Sequence, residues 1–439
     1  MQTRRTRAKD GDALTVLPRH EVADLLDQRI LSIATRASIL SPGEEVRFTH
    51  QLLQEYFAAR QMDAEIKAGK LVASNLWPAA NWWERNNWEE ATVLLAGFYD
   101  DDCTEVINWV ADANPEVAAM CIRKSGATCP PATLEDLRRR WLPRLTDLQR
   151  DPDPRARAAV GRALGMTGLD NRPGVGVTDK AGVVLPDIDW VDIEGGEFEY
   201  GDDDQSDNPR QRLTLDSFRI SRYPITFRQF QLFIDDPEGM RDDRWLAGLD
   251  CDVKKEQEPG EQAFPFDNHP RERVSWYQAI AFCRWFSWRL GGEYDLDRVD
   301  RWMIRLPTEF EWERAARGRT GRKYAYGEEY DPSRGNTSDT GIGQTSAVGI
   351  FPHGASPDKV IDMTGNVWEW CLGTYHNSQI DPANENLAAG GIRLVRGGSW
   401  DFIRGIARAA FRGFDHPASR YDYGGVRVVF GLRPPSLNH

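Results

Sequence analysis

RLVRGGSWDFIRGIARAAFRGFDHPASRYDYGG, residues 393–425, decides how this chain is read. Its first four residues suit a short strand, and Gly397 and Gly398 permit a turn tighter than a Cβ allows. Beyond Trp400 the side chains show neither helical nor strand periodicity. Two kinds of position are interleaved there. Arg408, Ala409, Arg412, Pro417, Arg420, Gly425 and Arg427 read as scaffold. Between them Asp401, Phe402, Ile403, Arg404, Ile406, Phe411, Phe414, Asp415, His416, Ser419, Tyr421, Asp422 and Tyr423 follow no folding pattern. Lys, Glu, Gln, Met and Trp are missing from 401–425, and the aromatic, Asp, His and Ser content is that of a binding surface, rigid anchors mixed with adaptable polar groups.

Upstream of this stretch Gly, Trp, Asn and Asp are frequent and strands look short, at 213–220, 393–396 and 426–430. Two strong helix patterns remain, 276–290 and 308–317, the second with Thr308 as N-cap and Glu311 at capping-box spacing. Before residue 165 the texture is different. Leu52, Leu53, Tyr56 and Phe57 form one helical stripe, read as packing, and Ala156, Ala159, Val160, Ala163 and Leu164 form another behind Asp151-Pro152-Asp153-Pro154. Glycines and Pro173 then crowd residues 165–176 and break the periodicity. The expected class is α+β: an all-helical domain over 1–170, a linker at 171–187 and a loop-rich domain over 188–439.

The 439 residues suffice for two or three domains, and the net charge of −13 argues against a nucleic-acid partner. No apolar run reaches the length of a membrane span, and the basic N-terminus lacks the apolar core of a signal peptide. Six cysteines without zinc spacing suit a reducing compartment, so a cytoplasmic protein with neither membrane nor nucleic-acid partners is expected.

Several motifs in order, DWVDIEGGEFEYG (189–201), FRISRYPITFRQF (218–230), ERVSWYQAIAFCRW (272–285), IRLPTEFEWERAARG (304–318), DMTGNVWEW (362–370) and RLVRGGSW (393–400), resemble the formylglycine-generating-enzyme family, a variant of the C-type lectin fold. The resemblance implies catalysis by two cysteines shortly after RGGS, which bind copper. Here none follows Cys371 and Phe402 takes the first cysteine's place, so no enzyme activity is expected and no cofactor is required. The resemblance also implies structural calcium, at Asp362, Gly365, Val367 and Glu369, and more weakly at Asn336 and Thr337.

The interleaved segment is similar to the variable region of proteins diversified by retroelements, in which template adenines are randomised and Asn codons can become any of fifteen residues, never the five missing here. Residues 401–425 would then be a hypervariable site for a macromolecular ligand, in the first place a protein. FTHQLLQEYFAAR (48–60) resembles the helical region behind the core of NACHT-type ATPases, and 151–165 a single HEAT-type repeat that would lean on the preceding helices. No phosphate-binding G-x-x-x-x-G-K-[ST] loop is present. The rival expectations are a sensor or scaffold of a signalling system and a divergent metal-dependent oxidase.

Overall fold

A computed structural model describes residues 16–18, 22, 27–41, 43, 45–202, 208–291, 302–375 and 391–432. The signal-peptide reading of 1–15 and the end of the second domain at 433–439 lie outside the described residues. The chain divides into two compact units, Met1–Trp141 and Leu142–His439.

In the first unit helices cover Gln28–Arg36 (α1), Gln51–Lys67 (α2), Glu89–Ala96 (α3), Thr104–Val110 (α4), Pro115–Lys124 (α5) and Pro131–Trp141 (α6). Asp27 and Asn114 cap α1 and α5 by accepting first-turn N–H groups. The unit is not all-helical, however. Val16–Pro18 (β1) pairs antiparallel with Glu45–Arg47 (β2), and Leu17 and Val46 turn inward. Strands of three residues are too short for alternation to register in a sequence. The stripe of Leu52, Tyr56 and Phe57 lies exposed, because α2 buries Glu55, Ala58, Ala59 and Met62 instead.

The second unit starts earlier than the sequence suggests. Helix α7, Pro154–Thr167, is capped by Asp153 and ended by Gly168 in the left-handed conformation. Its buried Arg157 donates to the Ile350 carbonyl at 2.9 Å, and Asn268 donates to the Gly161 carbonyl at 3.0 Å. A Cβ on Gly161 would stand 2.6 Å from the Ala347 methyl carbon. The segment at 151–165 therefore belongs with the loop-rich unit, and the boundary falls after Trp141 rather than at residue 170. Nor is 171–187 a linker: Val177–Lys180 (β3) and Val183–Pro186 (β4) form an antiparallel hairpin.

The remaining strands are Trp190–Ile193 (β5), Gly196–Tyr200 (β6), Gln211–Leu215 (β7), Phe218–Ser221 (β8), Trp302–Arg305 (β9), Trp368–Thr374 (β10), Arg393–Arg396 (β11), Gly413–Asp415 (β12), Gly424–Gly425 (β13) and Val429–Leu432 (β14). One sheet runs β5-β8-β14-β9 and another β12-β11-β10-β13, while β6 and β7 form a hairpin. The single strand expected at 213–220 is thus two, serving different ladders. Helices Phe227–Asp235 (α8), Trp276–Arg289 (α9) and Glu309–Arg317 (α10) each begin on a capping box, from Thr226, Ser275 and Thr308. Phe230, Phe233, Phe282 and Trp285 pack between α8 and α9 in the main core.

All nine residues of α10 are buried, including three glutamates. Such charges are tolerated only when paired. Glu311 binds Arg305 through two 2.7 Å bonds, Glu313 binds Arg317 and Arg396, and Glu309 binds Arg412. Against the same helix, Glu369 on β10 accepts a 2.5 Å bond from the Trp312 indole and two 2.8 Å bonds from Arg427. Replacing Arg427 with Met should cost about 3–5 kcal/mol of unfolding free energy, since it strands a buried carboxylate, and adding Glu369→Gln should recover part of that loss. Urea denaturation of the single and double variants checks both.

Candidate functional site

After β11 the chain turns away at residue 397, rejoins the same sheet at β12 beside β11, and rejoins it again at β13 beside β10. Gly397 and Gly398 turn the chain with φ of 96° and 71°, and a Cβ on Gly398 would meet the Ala407 Cα at 2.9 Å. From there the path is held by groups that do not depend on the exposed side chains. The backbone N–H groups of Ser338, Arg273, Trp276 and Trp368 donate to the carbonyls of Phe402, Tyr421, Pro417 and Tyr423. Each of the four arginines read as scaffold binds a carboxylate outside the segment: Arg408 to Asp202 at 2.9 Å, Arg412 to Glu309 at 2.9 Å, Arg420 to Glu256 at 3.0 Å and Arg427 to Glu369 at 2.8 Å.

The thirteen interleaved residues are placed otherwise. None is buried: Asp401, Ile403, Arg404, Phe414, His416 and Tyr421 are exposed, and Phe402, Ile406, Phe411, Asp415, Ser419, Asp422 and Tyr423 are half-buried. Ala409, Arg412, Pro417, Gly425 and Arg427, by contrast, are buried. Some of the accessible aromatics nevertheless touch the core. Phe402 stands edge-on to both Trp368 and Tyr423, and Tyr423 stacks on Tyr421 with centroids 4.8 Å apart. Phe414 lies against Tyr375 at 4.4 Å, and Ser419 donates to Asp415 at 2.7 Å. Ile403, Arg404 and Ile406 are on the neighbouring turn, where Arg404 sits over Tyr330.

Beneath these side chains lies a cavity of about 180 Å³. Phe402, Phe414, Asp415, Ser419, Tyr421 and Tyr423 line it from the segment, and Val274, Trp368, Trp370 and Val395 from the scaffold. The scaffold wall was missed from sequence, because Trp368 and Trp370 in DMTGNVWEW carry the same signal as any core tryptophan. The cavity brings together six of the thirteen residues and leaves Asp401, Ile403, Arg404, Ile406, Phe411, His416 and Asp422 outside.

The two calcium sets differ in fit. Both oxygens of Glu369 are taken by Arg427 and Trp312, and the buried Asp362 carboxyl accepts the Gly349 N–H at 2.8 Å. Burial pushes Asp362 up to about 6. Gly365 accepts the Val367 N–H with its carbonyl. A guanidinium thus already neutralises the acid that calcium would need, and Asp362, Gly365, Val367 and Glu369 do not fit the ion. Asn336 is different: its buried Oδ1 has no hydrogen-bond partner while its Nδ2 donates to the Gln344 carbonyl at 2.9 Å. With the Thr337 backbone beside it, that orphaned acceptor fits a hard cation.

Glu272 was not singled out from sequence. It is wholly buried, with Oε1 accepting the N–H groups of Ala263 and Phe264 and Oε2 making no hydrogen bond. Burial pushes its carboxyl up to about 7. Arg273 links it to the segment, 3.8 Å from Glu272 on one side and 3.8 Å from Asp422 on the other.

Residues 181–432 match the family model described as the sulfatase-modifying factor enzyme 1-like domain, and the chain belongs to that family. It is similar to the hercynine oxygenase of Mycolicibacterium thermoresistibile, 30% identical over 293 residues that make up 60% of each protein. It is also similar to the serine/threonine-protein kinase Pkn1 of Chlamydia trachomatis, 29% identical over 56% of this chain and 38% of that one. Its coverage of both is below two thirds of their length. Among solved structures, Treponema denticola variable protein 1 superposes with a TM-score of 0.46 at 20% identity, covering 59% of this chain and 98% of that one.

These relatives overturn one expectation. Absence of activity was read from the missing cysteine pair, which bears on one chemistry only. A 30% identical relative named as an oxygenase removes the ground for treating the chain as a non-enzyme. No described helix is long and apolar enough to cross a membrane.

The Glu272 geometry sets a pH dependence. A carboxyl held above its ordinary value of 4.5 favours the protonated native state, so its contribution is complete below about 4.5 and fades as pH rises through about 7. Glu272→Gln should remove that fading. Urea unfolding at pH 5 and pH 8 should show the wild type losing roughly 2–3 kcal/mol more than the variant over the interval.

Proposed function

We propose that this protein is a ligand-binding member of its family, with 401–425 as a hypervariable binding surface diversified by a retroelement. One observation carries the reading: the thirteen positions without a folding pattern are all solvent-accessible, while five of the seven scaffold positions among and just beyond them are buried. A segment selected only for packing would have no reason to divide in this way. Six of the accessible residues also line one cavity, so the surface has depth as well as area.

The ligand is a macromolecule, in the first place a protein. Phe402, Phe411, Phe414, Tyr421 and Tyr423 provide contact area, and Asp401, Ile403, Arg404, Ile406, Asp415, His416, Ser419 and Asp422 set specificity. The helical first unit, with its resemblance to the region behind NACHT-type cores, acts as the signalling or scaffolding partner of this sensor in the cytoplasm. Calcium at Asn336 and Thr337 would be structural. A second reading, an oxygenase-type reaction on the same domain, is favoured by the similarity to hercynine oxygenase. Oxygen uptake by the purified chain with added thiols would support it.

The test of the first reading is genetic. DNA flanking the gene should hold a near copy of codons 395–430 that differs almost only where the copy has adenine, beside a reverse-transcriptase gene. A flanking region without such a copy would contradict the proposal.

A further inference from the structure

We propose that the cavity under residues 402–424 takes a substituted ammonium group, an organic cation held between aromatic faces and one carboxylate. The inference rests on the binding reading above and adds the chemistry of the ligand. Six aromatic rings line the space, from Trp368, Trp370, Phe402, Phe414, Tyr421 and Tyr423. Such rings present negative faces to a cation, the arrangement that recognises alkylated ammonium groups. Asp415 is the one charged residue in the lining among the described residues. Its Oδ1 is oriented by the Ser419 hydroxyl and the His416 N–H, both at 2.7 Å.

The charges around the cavity point the same way. Asp401, Asp415 and Asp422 all act on Tyr423, whose hydroxyl is pushed up to about 12, first by burial and then by Tyr421 and these carboxylates. The neighbouring arginines are directed elsewhere. Arg412 pairs with Glu309 and lies over Tyr375, Arg420 pairs with Glu256, Arg404 lies over Tyr330, and Arg273 stands beside Asp422. A volume of about 180 Å³ is small for a whole ligand, since pockets for drug-sized molecules run to roughly 300–1,000 Å³. It accommodates a head group, borne by a small free molecule or by a cationic side chain of a larger one.

Three probes test this on the full chain, with tryptophan fluorescence and calorimetry as readouts: choline, its uncharged carbon isostere 3,3-dimethylbutan-1-ol, and a short peptide carrying trimethyllysine. Choline should bind about tenfold more tightly than the alcohol, or more. Asp415→Asn and Tyr423→Leu should each lose much of that preference while keeping a cooperative melt. Tighter binding of the peptide would place the cation on a macromolecule, and tighter binding of choline on a free metabolite. Equal affinity for choline and the alcohol would overturn the proposal, leaving an apolar cavity, and so would the failure of all three probes to bind. The wild-type comparison stands even if a variant does not fold. The hypervariable reading fails or holds on the flanking DNA, so the two failures are distinguishable.

Discussion

Pairing of buried carboxylates with arginines is the constraint on which the second unit depends. Helix α10 carries Glu309, Glu311 and Glu313 into the interior, and β10 adds Glu369. Unpaired, any of them would be strongly unfavourable. Their partners come from distant parts of the chain: Arg305 on β9, Arg396 on β11, Arg412 within the accessible segment and Arg427 just after it. The chain between Arg396 and Arg427 is therefore fixed at its ends by charge pairs and between them by Arg412 and by backbone hydrogen bonds. That is how a domain with short strands and much irregular chain keeps one conformation.

The same arrangement separates the path of residues 401–425 from the identity of their accessible side chains. Arg408, Arg412 and Arg420 hold to Asp202, Glu309 and Glu256, and four carbonyls of the segment accept from the scaffold. Neither kind of bond involves the side chains of Asp401, Phe414 or Tyr421. A surface whose backbone is secured in this way can change its side chains and keep its shape, which is what recognition of changing ligands requires. The family contains proteins named as enzymes as well, and the cavity beside Trp368 and Trp370 is compatible with a small reactant. Binding is the property common to both readings.

Much of this was legible in the residues. The Thr308 capping box, the strand at 393–396 and the turn at Gly397-Gly398 follow from local rules, and the scaffold arginines were separable from their neighbours because they interrupt a stretch with no periodicity. Features that depend on distant contacts were not legible. Helix α7 looked like the end of the helical domain because its alanine stripe is the same whichever surface covers it; the fit of Gly161 to Ala347 and the bonds of Arg157 to Ile350 and Asn268 to Gly161 assign it to the second unit. Glu369 looked like a calcium ligand until Arg427, 58 residues away, was seen to occupy it. The exposed face of α2 misled for the same reason, since periodicity marks a face without saying what covers it. Glu272 carried no signal at all, because burial of a single carboxylate is decided by the loop at 263–264 that folds over it.

The central claim is that the accessible side chains of 401–423 are free to vary while the buried pairs are not. The most direct measurement permutes the thirteen residues among their own positions, leaving every other residue unchanged, and records thermal unfolding of a set of such variants. The account predicts cooperative melting for most of them, within about 5 °C of the wild type, which for a unit of this size is a change of roughly 1–2 kcal/mol. Loss of folding in most permutants would contradict it and make these residues part of the core.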